Sequence, residues 1–217
     1  MDKNLSSAVN LQLERVKNAL LKNNMNAYVV QTAAEACTLV ESMLFDGATI
    51  ASGGSMSLEQ SDIMNLLRSG KYNYLDREKE TDKTALYRKS FGADFYLCSS
   101  NAVTENGELY NVDGNSNRVA AICFGPDKVI MVVGRNKIVK NLEEAVNRVK
   151  RYAAPANCTR LSCDTPCLKT GICAGINGDM TSGCKTDGRI CASYVVSAFQ
   201  RTKGRINVIL VNEELGY

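Results

Sequence analysis

The residues whose types and spacing suggest chemistry are concentrated between Ser99 and Gly134. Two polar turns, Asn106-Gly107 and Asp113-Gly114-Asn115, interrupt runs of β-forming residues there. Asn-Gly is a strong hairpin signal because both residues tolerate positive φ. Carboxylate, amide and guanidinium groups packed beside apolar strands predict a ligand-binding site. A surface hairpin with ordinary turn chemistry explains the same residues equally well.

A glycine loop is the second candidate. Gly53-Gly54-Ser55 follows a predicted strand, and Ser57 begins a predicted helix. Two glycines let a backbone approach a ligand closely, and the N–H groups at a helix start favour a phosphate or carboxylate. The loop has neither the lysine of a Walker loop nor the third glycine of a dinucleotide fingerprint. A tight turn without a ligand is the alternative.

Cysteines form the third candidate, because six of the nine lie between Cys158 and Cys191. This segment is rich in Gly, Thr, Asp and Asn, which predicts a loop. The chain has no histidine, so a metal site here must use cysteine, with or without a carboxylate. Four thiolates suit zinc or an iron–sulfur cluster. No gap between these cysteines is a CxxC, and reduced thiols in a mobile loop are the alternative.

The elements that position these residues alternate between strand and helix. Helices are predicted at 5–23, 32–44, 57–68, 80–90 and 141–152, and strands at 27–30, 48–52, 72–75, 95–99, 102–104, 108–112, 118–124, 128–133 and 207–211. Residues 190–199 fit either state. Short alternating elements favour βαβ units and a parallel sheet. The central block, in contrast, reads as antiparallel hairpins.

Composition narrows the function classes. The chain has 217 residues, a net charge of +3 and no basic run, which argues against nucleic acid as a partner. No apolar stretch approaches the roughly 18 residues of a membrane span, and the N-terminus reads as an amphipathic helix rather than a signal peptide. We therefore expect a cytoplasmic protein without a membrane partner. A homodimer is the general expectation for closed assemblies.

Several motifs resemble the LUD (lactate utilisation) domain family. The resemblance is carried by Ser99–Val119 and by Gly53-Gly-Ser-Met-Ser-Leu58. It continues through Phe124–Val139, Arg189-Ile-Cys191 and Gly204–Gly216, in the family's order. The likeness covers essentially the whole chain, so it implies a single domain over residues 1–217 with a cysteine-rich loop segment at 155–192.

The resemblance implies a fold and a site. The fold is a three-layer α/β/α sandwich like that of ribose-5-phosphate isomerase and the CoA transferases, with a mixed sheet and a hairpin-rich central block. By analogy with that fold, Glu105 is the candidate catalytic base or nucleophile. The implied pocket holds a small anionic metabolite, and its residues are Gly53, Gly54, Ser55, Asn101, Asp113, Asn115 and Arg118.

The family's cysteine pattern maps onto Cys167, Cys173, Cys184 and Cys191. The resemblance makes these four the candidate ligands of an iron–sulfur cluster or zinc. A long insert, Ala174–Gly183, separates the second from the third and departs from the family's pattern.

Three functions follow from the resemblance. The first is an accessory or electron-transfer-associated component of lactate or related organic-acid oxidation, working beside iron–sulfur partner proteins. The second is a free-standing isomerase or transferase that uses Glu105 on a phosphorylated or CoA-linked substrate. The third is a ligand-binding or regulatory module without catalysis.

Overall fold

The computed structural model describes residues 2–217. Its α-helices are Lys3–Lys22 (α1), Ala33–Met43 (α2), Met56–Gln60 (α3), Ile63–Leu67 (α4), Lys83–Lys89 (α5), Asn117–Cys123 (α6), Leu142–Arg148 (α7), Ala154–Leu161 (α8) and Pro166–Thr170 (α9). Its strands are Asn26–Val30 (β1), Thr49–Ser52 (β2), Asn73–Leu75 (β3), Phe95–Cys98 (β4), Ala102–Thr104 (β5), Leu109–Asp113 (β6), Lys128–Gly134 (β7), Ile138–Val139 (β8), Ser193–Ser197 (β9) and Ile206–Val211 (β10).

The main sheet has six strands in the order β1-β10-β7-β4-β2-β3, and every pairing in it is parallel. Successive side chains of a strand point to opposite faces. On β7, Val129, Met131 and Val133 pack on one face, where α1 and α6 also contribute core residues. Ile130 and Val132 pack on the other face, against α2, α3 and α4. This arrangement confirms the predicted three-layer α/β/α fold.

A second, four-stranded sheet has the order β8-β5-β6-β9. The β5–β6 hairpin is antiparallel, as the sequence predicts, and β9 pairs antiparallel with the far edge of β6. Mixed pairing is confined to this sheet, because β8 runs parallel to β5. Its core is built with α7 and α8, through residues such as Tyr110, Ala145 and Ala154.

The predicted strand at 118–124 is wrong, because Asn117–Cys123 form the helix α6. Asp113 Oδ2 accepts hydrogen bonds from the backbone N–H groups of Arg118 (2.8 Å) and Val119 (3.1 Å). These bonds satisfy donors that a helix start leaves without partners. Val119 and Ile122 are buried. An apolar run that reads as a strand is therefore the inner face of a short helix.

The helix after the glycine loop also differs from the prediction. Ser55, not Ser57, is its N-cap, and Ser55 Oγ accepts a hydrogen bond from the Leu58 N–H (3.4 Å). The predicted single helix is broken into α3 and α4 at Asp62, whose φ is +61°. A residue in the left-handed region interrupts the regular hydrogen-bond ladder. Ser57 is instead fully buried within α3.

The cysteine-rich segment is only partly a loop. The helix begun by α7 continues through a π-helical turn, Val149–Ala153, into α8, and α9 follows. Pro155 lies just after the π-helical turn, within this continuous helical stretch. Residues 171–192 contain neither helix nor strand, and β9 resolves the ambiguity at 190–199. None of the helices between residues 2 and 217 combines the length and the apolar character that a membrane-spanning helix needs.

Candidate functional site

A cavity of about 690 Å³ opens at the carboxyl edge of the parallel sheet. Gly54 follows β2, Ser99 follows β4, and Lys137 follows β7, so three parallel strands deliver residues to it. Crevices outside the carboxyl ends of parallel strands are where open α/β sheets bind ligands. The β6–α6 turn and residues 187–190 form the opposite wall.

The cavity brings together most of the predicted binding residues. Those that line it are Gly54, Ser55, Asn101, Asp113, Asn115 and Arg118. Gly53 lies directly behind them, since a Cβ added there would meet Arg118 Cδ at 2.9 Å. A Cβ on Gly54 would meet Arg77 Nη1 at 2.7 Å. The two glycines thus make room for arginine side chains at the cavity wall.

Arg118 is held by neutral acceptors. Its Nη1 donates to the Ser99 carbonyl (3.0 Å) and to Asn111 Oδ1 (2.7 Å). Its Nη2 donates to Asn101 Oδ1 and to the Val112 carbonyl, both at 2.8 Å. These four bonds fix the guanidinium without neutralising its charge.

Asp113 and Asn115 act mainly on the local backbone. The Asp113 carboxylate starts α6, as described above, and its Oδ1 also accepts from the Asn115 N–H (3.2 Å). This carboxylate therefore shapes the turn that carries Arg118 into the cavity. The predicted grouping of these residues matches the structure, whereas their roles as ligand contacts stay a prediction.

Sequence reasoning missed Lys137, which lines the cavity and is 3% exposed. Its Nζ lies 2.8 Å from Ser57 Oγ and 3.1 Å from Ser99 Oγ. Gly216 packs over this group, and a Cβ on Gly216 would lie 3.2 Å from Lys137 Nζ. Lys137 lies three residues after the buried parallel strand β7, at the end of a 3₁₀ turn, and that position was the available signal.

The surroundings of Lys137 disfavour its charged form. Burial, together with the neighbouring cations Arg148 and Arg118, lowers the pKa of Lys137 to about 7. Burial also lowers the pKa of Arg148 to about 10. Arg148 is 9% exposed and donates to the carbonyls of Asn136 (2.9 Å) and Asn101 (2.7 Å).

Positive charge dominates the cavity. Six basic residues line it, against three carboxylates. Glu78 is ion-paired with Arg68, and the Asp113 carboxylate is engaged by backbone N–H groups. Across residues 2–217, neither Arg118 nor Lys137 forms an ion pair, and Arg148, which lies outside the cavity lining but acts on Lys137, forms none either. This part of the cavity is thus suited to an anionic ligand.

Glu105 is not brought to the cavity. It lies in the β5–β6 connection, where its Oε1 accepts a hydrogen bond from Gln12 Nε2 (2.8 Å) of α1. Its backbone N–H donates to the Val139 carbonyl (2.9 Å). The strand end that carries Glu105 faces α1 rather than the cavity. No cavity residue therefore lies beside Glu105 to support a catalytic role, which stays a prediction.

The four predicted cysteine ligands converge. Cys167, Cys173, Cys184 and Cys191 line one small pocket, and Cys158 joins them. We refer to these five residues as the thiol pocket. Burial raises the pKa of Cys158 to about 12, and burial also raises the pKa of Cys191.

The donor types of the thiol pocket suit zinc, but their arrangement does not complete a site. Over the described part of the chain, no group of three or more cysteine or carboxylate side chains is arranged to hold a metal ion. The free space among the thiols is about 10 Å³, which is about the room that one water molecule or one metal ion needs. A single ion fits that space better than a cluster does, and binding requires the sulfur atoms to close around it.

Arg189 separates the thiol pocket from the cavity and lines both. Its Nη1 donates to the Cys184 carbonyl and its Nε to the Cys191 carbonyl, both at 2.9 Å. Its Nη2 donates to Tyr194 Oη (2.8 Å) on β9 and to the Thr181 carbonyl (2.9 Å). Arg189 thereby ties the irregular segment to the second sheet.

The fold and this geometry define a three-layer α/β/α protein with a cationic cavity at the carboxyl edge of its parallel sheet. The LUD domain family matches residues 13–211, and the chain belongs to that family. The family supports a role related to lactate utilisation.

A solved structure shares the fold. A crystal structure of a DUF162 family protein from Deinococcus radiodurans has 15% identity and a TM-score of 0.51. The match covers 94% of this chain and 98% of that chain. No curated protein matches the sequence.

Proposed function

We propose that this protein binds a small organic anion in the cavity as a component of lactate or related organic-acid oxidation. One observation carries the proposal: Arg118 and Lys137 line the cavity without a carboxylate partner, and Arg148 adds a further unpaired positive charge that acts on Lys137. Cations removed from water are costly unless an opposite charge accompanies them. A ligand carboxylate or phosphate would supply that charge.

Binding of simple anions tests the proposal. Isothermal titration with L-lactate, pyruvate and inorganic phosphate should give saturable binding to the wild-type protein. Arg118→Gln should weaken it by about ten-fold or more, because one charge-assisted contact is worth roughly 1.5–3 kcal/mol. Arg201→Gln is the matched control, since Arg201 is exposed and does not line the cavity. Equal affinity in both variants, or no saturable binding of any probe, contradicts the proposal.

A second proposal concerns the thiol pocket, and the meeting of five cysteines there favours it. We propose that it holds one thiophilic metal ion, with Cys167, Cys173, Cys184 and Cys191 as ligands. Soft thiolates select zinc and iron–sulfur species over hard cations. An electron-transfer role beside iron–sulfur partner proteins requires iron, whereas zinc would make the pocket a structural clip.

Metal and acid-labile sulfide analysis of protein purified without oxygen distinguishes these cases. About one zinc per chain, lost in the Cys167→Ser/Cys173→Ser double variant, supports a single-ion site. Iron with sulfide instead supports a cluster and electron transfer. Protein without metal, and with these thiols titratable, rejects the second proposal but leaves anion binding in place. Cys123→Ser is the control, because Cys123 lies outside the pocket.

A further inference from the structure

Lys137 stands out because the anion site does not need its particular chemistry. Arg118 already supplies a fixed positive charge, and a lysine adds a primary amine. Lys137 lines the cavity, and its amine is surrounded by hydroxyl groups rather than by carboxylates. A buried lysine that is not ion-paired, and that opens onto a cavity, has the setting of a nucleophilic amine.

We propose that Lys137 forms an imine with the aldehyde or ketone group of an anionic ligand bound in the cavity. The inference rests on the proposed anion site and deepens it. It assigns the ligand to the class of small anionic carbonyl compounds, in which the anion is a carboxylate or a phosphate. Arg118 lines the same cavity, so its fixed positive charge would attract the anionic group while the amine meets the carbonyl carbon.

The amine must be unprotonated to react, and its surroundings favour that form. The groups that act on it are Arg118 from α6, Arg148 from α7 and the Cys98 thiol at the end of β4. Burial raises the pKa of Cys98 to about 12, so this thiol carries no charge near neutral pH. Two cations and a neutral thiol leave the ammonium without a stabilising counter-charge. At neutral pH a substantial fraction of Lys137 is then free amine.

The step balances without an added reagent. The Nζ lone pair forms a bond to the carbonyl carbon, and the C=O electron pair moves to oxygen, which takes up a proton. Nitrogen loses its protons as the C–O bond breaks, water leaves, and a C=N bond remains. No atom is oxidised or reduced. Ser57 and Ser99 lie within hydrogen-bond distance of Nζ and provide hydroxyls that pass these protons.

Borohydride trapping tests the inference. The wild-type protein is incubated with pyruvate or with dihydroxyacetone phosphate, reduced with sodium borohydride, and analysed by intact mass and peptide mapping. Reduction of an imine adds the mass of the probe less one oxygen atom. We expect this addition on Lys137. L-Lactate, which has no aldehyde or ketone group, should add nothing.

Two variants and the peptide map keep the test decisive. Lys137→Met should abolish the addition, and Lys140→Met should retain it, because Lys140 is exposed and outside the cavity. Ser99→Ala should slow trapping several-fold at unchanged pH while Lys137 stays the labelled residue. If Lys137→Met does not fold, the map of the wild-type protein alone decides, since label spread over other lysines overturns the inference.

The outcomes separate this inference from the proposed function. Saturable binding of L-lactate or phosphate without label on Lys137 overturns the imine and leaves the anion site standing. No saturable binding of any anion overturns the anion site itself. Labelling by pyruvate alone identifies a carboxylate ligand, and labelling by dihydroxyacetone phosphate alone identifies a phosphorylated one. Either result supports the imine.

Discussion

At the scale of single residues, the environment of Lys137 is assembled from distant parts of the chain. Ser57 comes from α3, Ser99 from the end of β4, and Gly216 from the last residues. Local sequence around Lys137 reads as a polar, solvated turn. Its burial could not be predicted, because it depends on contacts with Ser57, 80 positions away, and Ser99, 38 positions away.

The lowered pKa of Lys137 predicts how stability depends on pH. The pKa falls from 10.5 to about 7 on folding, so between these values the unfolded chain binds more protons than the folded protein. Stability from this group therefore rises with pH, by up to about 1.4 kcal/mol per pH unit in that window. Lys137→Met lacks the effect. The difference in unfolding free energy between wild type and variant should thus shift in favour of wild type from pH 7 to pH 9.5.

Urea unfolding of both proteins at several pH values measures this difference, in which the other titrating groups cancel. Parallel stability profiles would show that Lys137 titrates normally in the folded protein.

Gly53 and Gly54 make a matched pair for a second prediction. An alanine Cβ at Gly53 would press on Arg118 Cδ, in a side chain fixed by four hydrogen bonds. At Gly54 the nearest atom is Arg77 Nη1, the end of a flexible side chain that can swing away. Gly53→Ala should therefore weaken phosphate or lactate binding by about ten-fold, and Gly54→Ala by no more than about three-fold. Similar affinities in calorimetric titration would disprove the role of Gly53 in seating Arg118.

At the scale of elements, the β5–β6 hairpin is locked to the end of α1. Gly107 has φ +79°, and a Cβ there would lie 2.6 Å from the Ala19 carbonyl carbon. Asn23 Nδ2 donates to the carbonyls of Asn106 (2.9 Å) and Gly107 (3.0 Å). Both the backbone conformation and the space thus require glycine at this position.

Gly107→Ala should destabilise the fold by about 2–4 kcal/mol, because backbone strain and overpacking add. Gly47→Ala isolates the strain, since Gly47 has φ +78° but no atom within 4 Å of an added Cβ. We expect about 1 kcal/mol for that control. Chemical denaturation measures both values, and equal losses would mean that the contact with α1 is unimportant.

The elements also show what the sequence could and could not predict. The helix α1 and the buried strands β7 and β10 follow from periodicity and apolar runs. The helix α6 does not, because its start depends on the Asp113 carboxylate four residues upstream. Likewise, the break at Asp62 could not be predicted, because the capping pattern just before it favours a single continuous helix. Short elements are decided by such single contacts.

At the scale of the whole molecule, the parallel sheet is the rigid frame on which the site is mounted. β7 and β10 lie inside it, each paired on both sides, and every residue of β10 is buried. Residues 171–192 have no regular element, and β3 is a three-residue edge strand.

Amide hydrogen exchange should follow this order. Protection should be greatest in β7 and β10, intermediate in β9, and least in β3 and residues 171–192, because opening of an edge or loop breaks few buried contacts. Exchange read out by mass spectrometry on peptides covers all of these regions. Uniform protection, or fast exchange in β10, would contradict the sheet order.

At this scale it is also clear why some of the predicted site residues meet at the cavity and Glu105 does not. The glycine loop after β2 and Asn101 after β4 meet because parallel strands deliver their ends to one edge, which a sequence argument can foresee, whereas Arg118 arrives on the helix α6. Glu105 lies at the turn end of the β5–β6 hairpin, whereas Asn101 and Asp113 lie at its opposite end, so closeness in sequence to Asn101 did not bring Glu105 to the cavity.

Lys150 anchors the irregular segment, residues 171–192, through its side-chain amine. It is 5% exposed, and its Nζ donates to the carbonyls of Gly175 (2.7 Å), Gly178 (3.0 Å) and Asp179 (2.5 Å). Three carbonyl oxygens around one positive centre resemble the shell of a bound inorganic cation. Here the cation is covalently attached to the chain, so it can be neither diluted away nor chelated. This turn is therefore held without any metal ion from the medium, whatever the neighbouring thiols bind.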